Sequence, residues 1–177
     1  RQSLADAYEE IFGDAVAEYN AKQRRSDRKI SDYFEKMFGV RADTMRADTV
    51  IKNDNKQQSF YEYVVGVGTM HDTGYASSPE AAKVAVECLR EYMAGFGERN
   101  PQFHVFNAVI HQDEATPHLH YDMIPYADGM KKGMTRQQGI NKALEQMGYG
   151  TGKQAIANFT QSERKVFREI CEAHGIE

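Results

Sequence analysis

Val109-Ile110-His111-Gln112-Asp113-Glu114-Ala115-Thr116-Pro117-His118-Leu119-His120-Tyr121-Asp122-Met123 is the stretch on which the reading of this chain turns. Three of the six histidines lie within the ten positions from His111 to His120, with Asp113 and Glu114 between them. β-Prone residues flank the group: Val105, Phe106, Val109 and Ile110 before it, Leu119, Tyr121, Met123 and Ile124 after it. They predict two strands, about 103 to 111 and 118 to 125, with Asp113 to Pro117 as the turn. Side chains alternate across a strand, so His118 and His120 share one face and Leu119 takes the other. If the strands pair as a hairpin, His111 reaches that same face. Three imidazoles then converge on one point and leave positions open for water or substrate, the pattern of a metal site. A lone strand histidine is ordinarily structural, and two at alternate positions arise by chance. The third, at the mouth of the same hairpin with two carboxylates beside it, decides for metal ligation.

Three imidazoles suit zinc, manganese, iron or nickel. Such a centre polarises a carbonyl or phosphoryl oxygen, or activates water. Glu114 sits beside the ion without having to bind it, where a general base or a group orienting a nucleophile is useful. Asp113 and Asp122 read as partners of the histidine N–H groups, or as turn and surface residues. Pro117 fixes the chain just before His118.

The rest of the sequence bounds this reading. A chain of 177 residues is expected to form one domain with a real core. Its 41% hydrophobic and 27% charged residues are those of a globular protein. No apolar run approaches the roughly 20 residues of a membrane span, and the polar, charged start is not a signal peptide. Cys88 and Cys171 have no paired spacing and suggest free thiols in a reducing cytoplasm. A net charge of −4 counts against coating nucleic acid through bulk positive charge, but leaves room for a local basic groove.

In chain order, Leu4, Tyr8, Ile11, Phe12, Ala15, Val16 and Tyr19 predict an amphipathic helix capped by Ser3. The pattern resumes at Ile30, Tyr33, Phe34 and Met37 and ends near Gly39. Between lies Lys22-Gln23-Arg24-Arg25-Ser26-Asp27-Arg28-Lys29, in which a continued helix would put Lys22, Arg25 and Lys29 on one face. A solvated face and a phosphate contact are equally fair readings of that run. Residues 40 to 58 read as loop, and Phe60 to Thr69 as a strand. Tyr61 and Tyr63 share a face and read as packing residues. Ser77-Ser78-Pro79-Glu80 predicts a capping box and a helix that stops by Gly97. Thr135 with Gln138 predicts a second capping box and a helix to about Met147, and Thr160 with Glu163 caps a last helix. Lys131, Lys132 and Arg136 make the turn after Pro125 basic.

His-x-Asp-Glu-x-x-Pro-His-x-His, present from His111 to His120, resembles the third motif of the Mob/Pre plasmid mobilisation and recombination relaxases. The hydrophobic Leu119 between His118 and His120 matches the wider HUH endonuclease superfamily. The resemblance extends to Glu98-Arg99-Asn100-Pro101 leading into Phe106-Asn107-Ala108-Val109, to the Lys-Lys-Gly turn at Lys131, and to Tyr19-Asn20-Ala21-Lys22-Gln23. It covers nearly the whole chain. It implies an α+β fold, an antiparallel sheet with packed helices, as a single HUH relaxase-like domain over 1–177. It implies that His111, His118 and His120 hold Mn²⁺ or Mg²⁺ against a scissile phosphate, other transition metals being alternatives. The enzyme would nick one strand at an origin of transfer, leaving protein joined to the 5′ end and a free 3′ hydroxyl. Glu114 would be the base or orienting carboxylate. The partners would be single-stranded or hairpin DNA and the conjugation coupling machinery, in a bacterial cytoplasm. Arg24, Arg25, Arg28, Lys131, Lys132 and Arg136 are the DNA-contact candidates.

One departure matters. In the relatives the nucleophile is a histidine in an N-terminal segment, and most other HUH enzymes use tyrosine. No histidine precedes His71 here. The expectation is that the nucleophile segment lies upstream of Arg1, so that this polypeptide binds metal and DNA without cleaving. A degenerate member, or a nucleophile among Tyr19, Tyr33 and Tyr61, are the alternatives. Two other functions compete: a metal-dependent phosphodiesterase using activated water, and a non-catalytic module that binds origin DNA.

Overall fold

The computed structural model describes residues 1–176. Ser3 starts the first helix, α1 (Leu4–Ala21), its hydroxyl accepting the Asp6 N–H at 3.1 Å. Asp32 caps α2 (Tyr33–Phe38) in the same way, and Gly39 ends it at φ +74°, a backbone setting that glycine adopts without strain. Strand β1 (Tyr61–Gly66) is followed by α3 (Pro79–Ala94) and the one-turn α4 (Phe96–Arg99). Strands β2 (Phe103–His111) and β3 (His118–Ala127) form the hairpin, and β4 (Gln137–Gln138) is a two-residue addition to β3. The chain closes with α5 (Ile140–Gln146) and α6 (Gly152–Ala173).

The sheet has the order β1-β3-β2, all antiparallel. Helices cover both faces, because alternate residues of every strand are apolar on both sides near the Ile124 end. On one face Ile124, Phe60 and Phe106 pack under α1 and α2 with Tyr8, Ile11, Phe12 and Phe34. On the other, Leu119, Tyr121, Met123 and Phe103 pack under α3 and α6 with Leu89, Tyr92, Phe159 and Phe167. Tyr63 belongs to this second core, stacked on Tyr121 at 5.5 Å between ring centres. Cys88 and Cys171 lie there too, both buried and free. The architecture is the expected α+β one. Among the described residues no helix is long and apolar enough to cross a membrane.

Several local expectations are corrected. The basic run 22–29 does not continue α1: a 3₁₀ turn occupies Ser26–Arg28, so the grouped helix face of Lys22, Arg25 and Lys29 is not formed. The Asn20 side chain holds the turn by bonding both the N–H and the C=O of Ile30 at 2.8 Å. Strand β1 is shorter than the apolar run, stopping at Gly66, and Gly68 turns away at φ +71°. Ser77 does not form the capping box with Glu80. Its hydroxyl donates to the carbonyls of Met70 and Gly74, while Glu80 pairs with Lys83 at 2.9 Å. Thr135 and Gln138 do not cap a helix: Gln138 is in β4, and α5 begins at Ile140. The last helix starts at Gly152, eight residues before Thr160. Thr160 and Glu163 are mid-helix, where the Thr160 hydroxyl bonds the Ile156 carbonyl and Glu163 is buried.

Candidate metal centre

The sheet's register brings the histidines together. His111 at the end of β2 stands directly opposite His118 at the start of β3, and His120 follows two residues on along the same face. Helix α1 packs on the Ile124 half of that face, and residues 1–176 leave Val64 and Val109 beside the histidines exposed. One ligand atom from each of His111, His118 and His120 can be chosen so that all three lie within 4.8 Å of one another. The ring centres are 5.1, 4.5 and 4.9 Å apart.

Donors about 2.1 Å from a common ion are somewhat closer together than this, so small side-chain movements complete the geometry. All three rings are half-buried, neither free to wander nor sealed from solvent. The His118 Nδ1 is 3.0 Å from the Thr116 carbonyl oxygen. A carbonyl accepts only, so Nδ1 carries the proton and Nε2 is the free donor for an ion. Pro117, fully buried, holds the peptide that makes this contact. The donor set fits a divalent transition metal with positions left open.

Glu114 lies beside His111 and His118. One carboxylate oxygen is 3.7 Å from His111 Nδ1 and the other 3.7 Å from His118 Nε2. Neither distance is a hydrogen bond. The side chain is 63% exposed, so its carboxylate borders both the imidazoles and solvent. The turn carrying it is braced from the 69–78 loop, where the Tyr75 N–H donates to the Ala115 carbonyl at 3.2 Å. Asp122 accepts a 2.8 Å bond from the Asn107 side chain, and Asp113 is exposed.

The basic candidates lie elsewhere. Arg24, Arg25 and Arg28 are exposed after the end of α1, with Arg25 forked onto Asp27 at 2.6 and 3.0 Å. Lys131 and Lys132 are exposed in the turn after β3. Arg136 is engaged internally: it bonds Asp128 at 2.6 and 3.2 Å, donates to the Ile11 carbonyl, and lies 4.4 Å over the Tyr126 ring. The Asp128 carboxylate raises its pKa. A bond from Thr135 to Glu18 ties the basic turn to the last part of α1. Both basic groups are therefore at the Ala127 end of β3, and the histidines are at its other end. Ten strand residues separate the two by about 30 Å.

None of the three candidate tyrosines is brought to the histidines. Tyr61 packs in the core on the opposite sheet face. Tyr33 packs on Phe12, accepts the Gln138 N–H, and burial pushes its hydroxyl up to about 12. Tyr19 is near the far end of α1. Sequence reasoning did not single out Glu62, Val64 and Val109, which share the open face with the histidines. For Glu62 and Val64 the signal was the alternation Phe60, Glu62, Val64, Gly66, in which a charge follows the one large aromatic and the face is exposed from there on.

No solved structure matches the chain. A "Plasmid recombination enzyme type 3" from Staphylococcus aureus is 25% identical over 164 residues, which cover 84% of this chain and 35% of that protein. One from Mammaliicoccus lentus is 26% identical over 165 residues, again 84% of this chain and 35% of the relative. The chain thus spans about a third of the length of the curated relatives it matches. The family model described as plasmid recombination enzyme, Mob_Pre, matches residues 1–164, so with its histidine-bearing hairpin inside that match the chain belongs to the Mob/Pre family of plasmid recombination enzymes.

Proposed function

We propose that this domain carries the metal centre of a relaxase that nicks one DNA strand at an origin of transfer and remains joined to its 5′ end. The observation that supports this best is the convergence of His111, His118 and His120 on an open sheet face in a chain of this family. In this reading the three imidazoles hold Mn²⁺ or Mg²⁺. The ion supplies charge stabilisation to the non-bridging oxygens of the scissile phosphate.

The chain's own residues do the rest. The Thr116 carbonyl keeps His118 in the Nδ1–H tautomer, so that Nε2 faces the centre. Glu114, next to both His111 and His118, takes the proton of the attacking side chain or orients that side chain. Attack forms a bond from the side chain to phosphorus and breaks the bond from phosphorus to the 3′ oxygen. The 3′ oxygen leaves with a proton as a free hydroxyl, and the 5′ phosphate stays on the protein. The attacking group in this reading is a histidine of the family's first motif. The basic residues at the other end of the sheet contact the phosphates of flanking DNA.

The test is cleavage of single-stranded origin DNA by the encoded protein carrying that first motif. We expect Mn²⁺-dependent nicking with a covalent protein–DNA band on a denaturing gel. His118→Ala should abolish both, and Glu114→Gln should slow nicking by about 10²-fold. Unchanged nicking by His118→Ala would sink the reading. Turnover without an adduct would replace it with hydrolysis by activated water.

A further inference from the structure

Three rows of side chains cross the open half of the sheet. The first is Gly66, His118 and His111; the second is Val64, His120 and Val109; the third is Glu62, Asp122 and Asn107. The second row leaves two apolar side chains in solvent, Val64 at 61% exposure and Val109 at 44%. Both flank a histidine of the metal centre. The third row borders a cavity of about 760 Å³ walled by the start of α1 and the 42–48 loop. The Asn107 side-chain N–H donates to Asp122 at 2.8 Å, and its Oδ1 is enclosed with no partner among the described residues. The row therefore presents acceptors, the carboxylates of Glu62 and Asp122.

We propose that this surface is a nucleobase-reading platform, and that it selects a base with N–H donors, guanine foremost, on the nucleotide next to the phosphate held at the histidines. The inference rests on the DNA-nicking reading and adds which residues read the strand. A phosphate cannot lie on the third row, because carboxylates repel it. A base can. Val64 on one side of His120, or Val109 on the other, offers the flat ring an apolar seat. The acceptor row lies two strand residues on, about 7 Å away, within reach of that base's edge. Guanine carries N1–H and N2–H₂ side by side on its Watson–Crick edge, matching the two oxygens of a carboxylate. Thymine has one N–H between two carbonyls, which a carboxylate repels. That edge is free only in a single strand, so the same row excludes paired DNA.

The test is binding of fluorescent oligonucleotides by anisotropy with Mn²⁺ at fixed salt, comparing dT8 with the same octamer carrying one central dG. The wild-type chain is expected to bind the dG octamer about tenfold tighter. Asp122→Asn with Glu62→Gln should bring that ratio to about one by weakening the dG octamer alone. A purely electrostatic role for the carboxylates would tighten both octamers alike in the variant and keep the ratio, and that result overturns the proposal. A wild-type ratio near one, with binding still Mn²⁺-dependent, also overturns it while the nicking reading stands. If hexalysine then binds at Glu62 and Asp122, the row belongs to a basic peptide segment instead. Absence of Mn²⁺-dependent binding of either octamer overturns both readings.

Discussion

His118 shows how little freedom the candidate metal centre leaves to a single side chain. Its Nδ1 is committed to the Thr116 carbonyl, so only Nε2 is free, and buried Pro117 fixes the peptide between them. The residue types and the spacing His-x-His are local properties, and they were legible without coordinates. That His111 can reach the same face was legible too, given a hairpin, while its place directly opposite His118 came from the register of the folded sheet. Binding of an ion to the folded state alone raises stability by linkage. At a hundredfold excess over its Kd, Mn²⁺ should add about 2.7 kcal/mol, which is roughly 5–10 °C in Tm for a domain of this size. Calorimetry with and without EDTA measures it. The shift should vanish in His118→Ala, and a full shift in that variant would place the ion elsewhere.

Among the elements, α6 departs furthest from expectation. Its start was hidden because Gly150, Gly152 and Lys153 look like a joint, while the inward stripe Ala155, Phe159, Glu163, Phe167 and Cys171 contains a charge. That charge is the reason for the miss. Glu163 accepts bonds from Arg99 at 3.0 and 3.2 Å and from Asn100 at 3.1 Å, and Asn100 in turn accepts one from Tyr149 at 2.8 Å. No helical periodicity announces a partner more than sixty residues away. The Arg99 and Asn100 of the motif before β2 are thus structural, fastening α4 to α6. Glu163→Ala leaves a mostly buried guanidinium without its carboxylate and should cost about 3 kcal/mol. That is roughly 6–12 °C in Tm by thermal unfolding. Arg99→Met with Glu163→Leu should recover most of the loss. A single variant within one degree of the parent would show the pair to be idle. The false capping boxes at Ser77 and Thr135 have the same origin: each hydroxyl found a better partner in tertiary structure.

For the whole molecule, the two ends of β3 carry different charge chemistry, with the histidines at one and the exposed Lys131 and Lys132 at the other. If the basic end holds phosphates of flanking DNA, its contribution is counterion release. Lys131→Ala with Lys132→Ala should lower the slope of log K against log salt by about two for hairpin DNA, measured by anisotropy titration. Mn²⁺ affinity should not change, since the ion site is about 30 Å away. An unaltered slope would make those lysines solvated surface. Alternation and turn chemistry were enough to determine the hairpin and its shared face, because each depends on neighbours within one or two strands, and the ten-residue histidine motif carried the family resemblance that implied the α+β class. Tertiary structure alone decided that α1 packs over the Ile124 half of the sheet, with its start beside Glu62, Asn107 and Asp122. It alone put the basic run in a 3₁₀ turn and drew Arg136 inward onto Asp128, Tyr126 and the Ile11 carbonyl. Those outcomes depend on where distant surfaces meet, and a hydrogen-bond donor or a charge takes whichever partner the packed chain brings nearest.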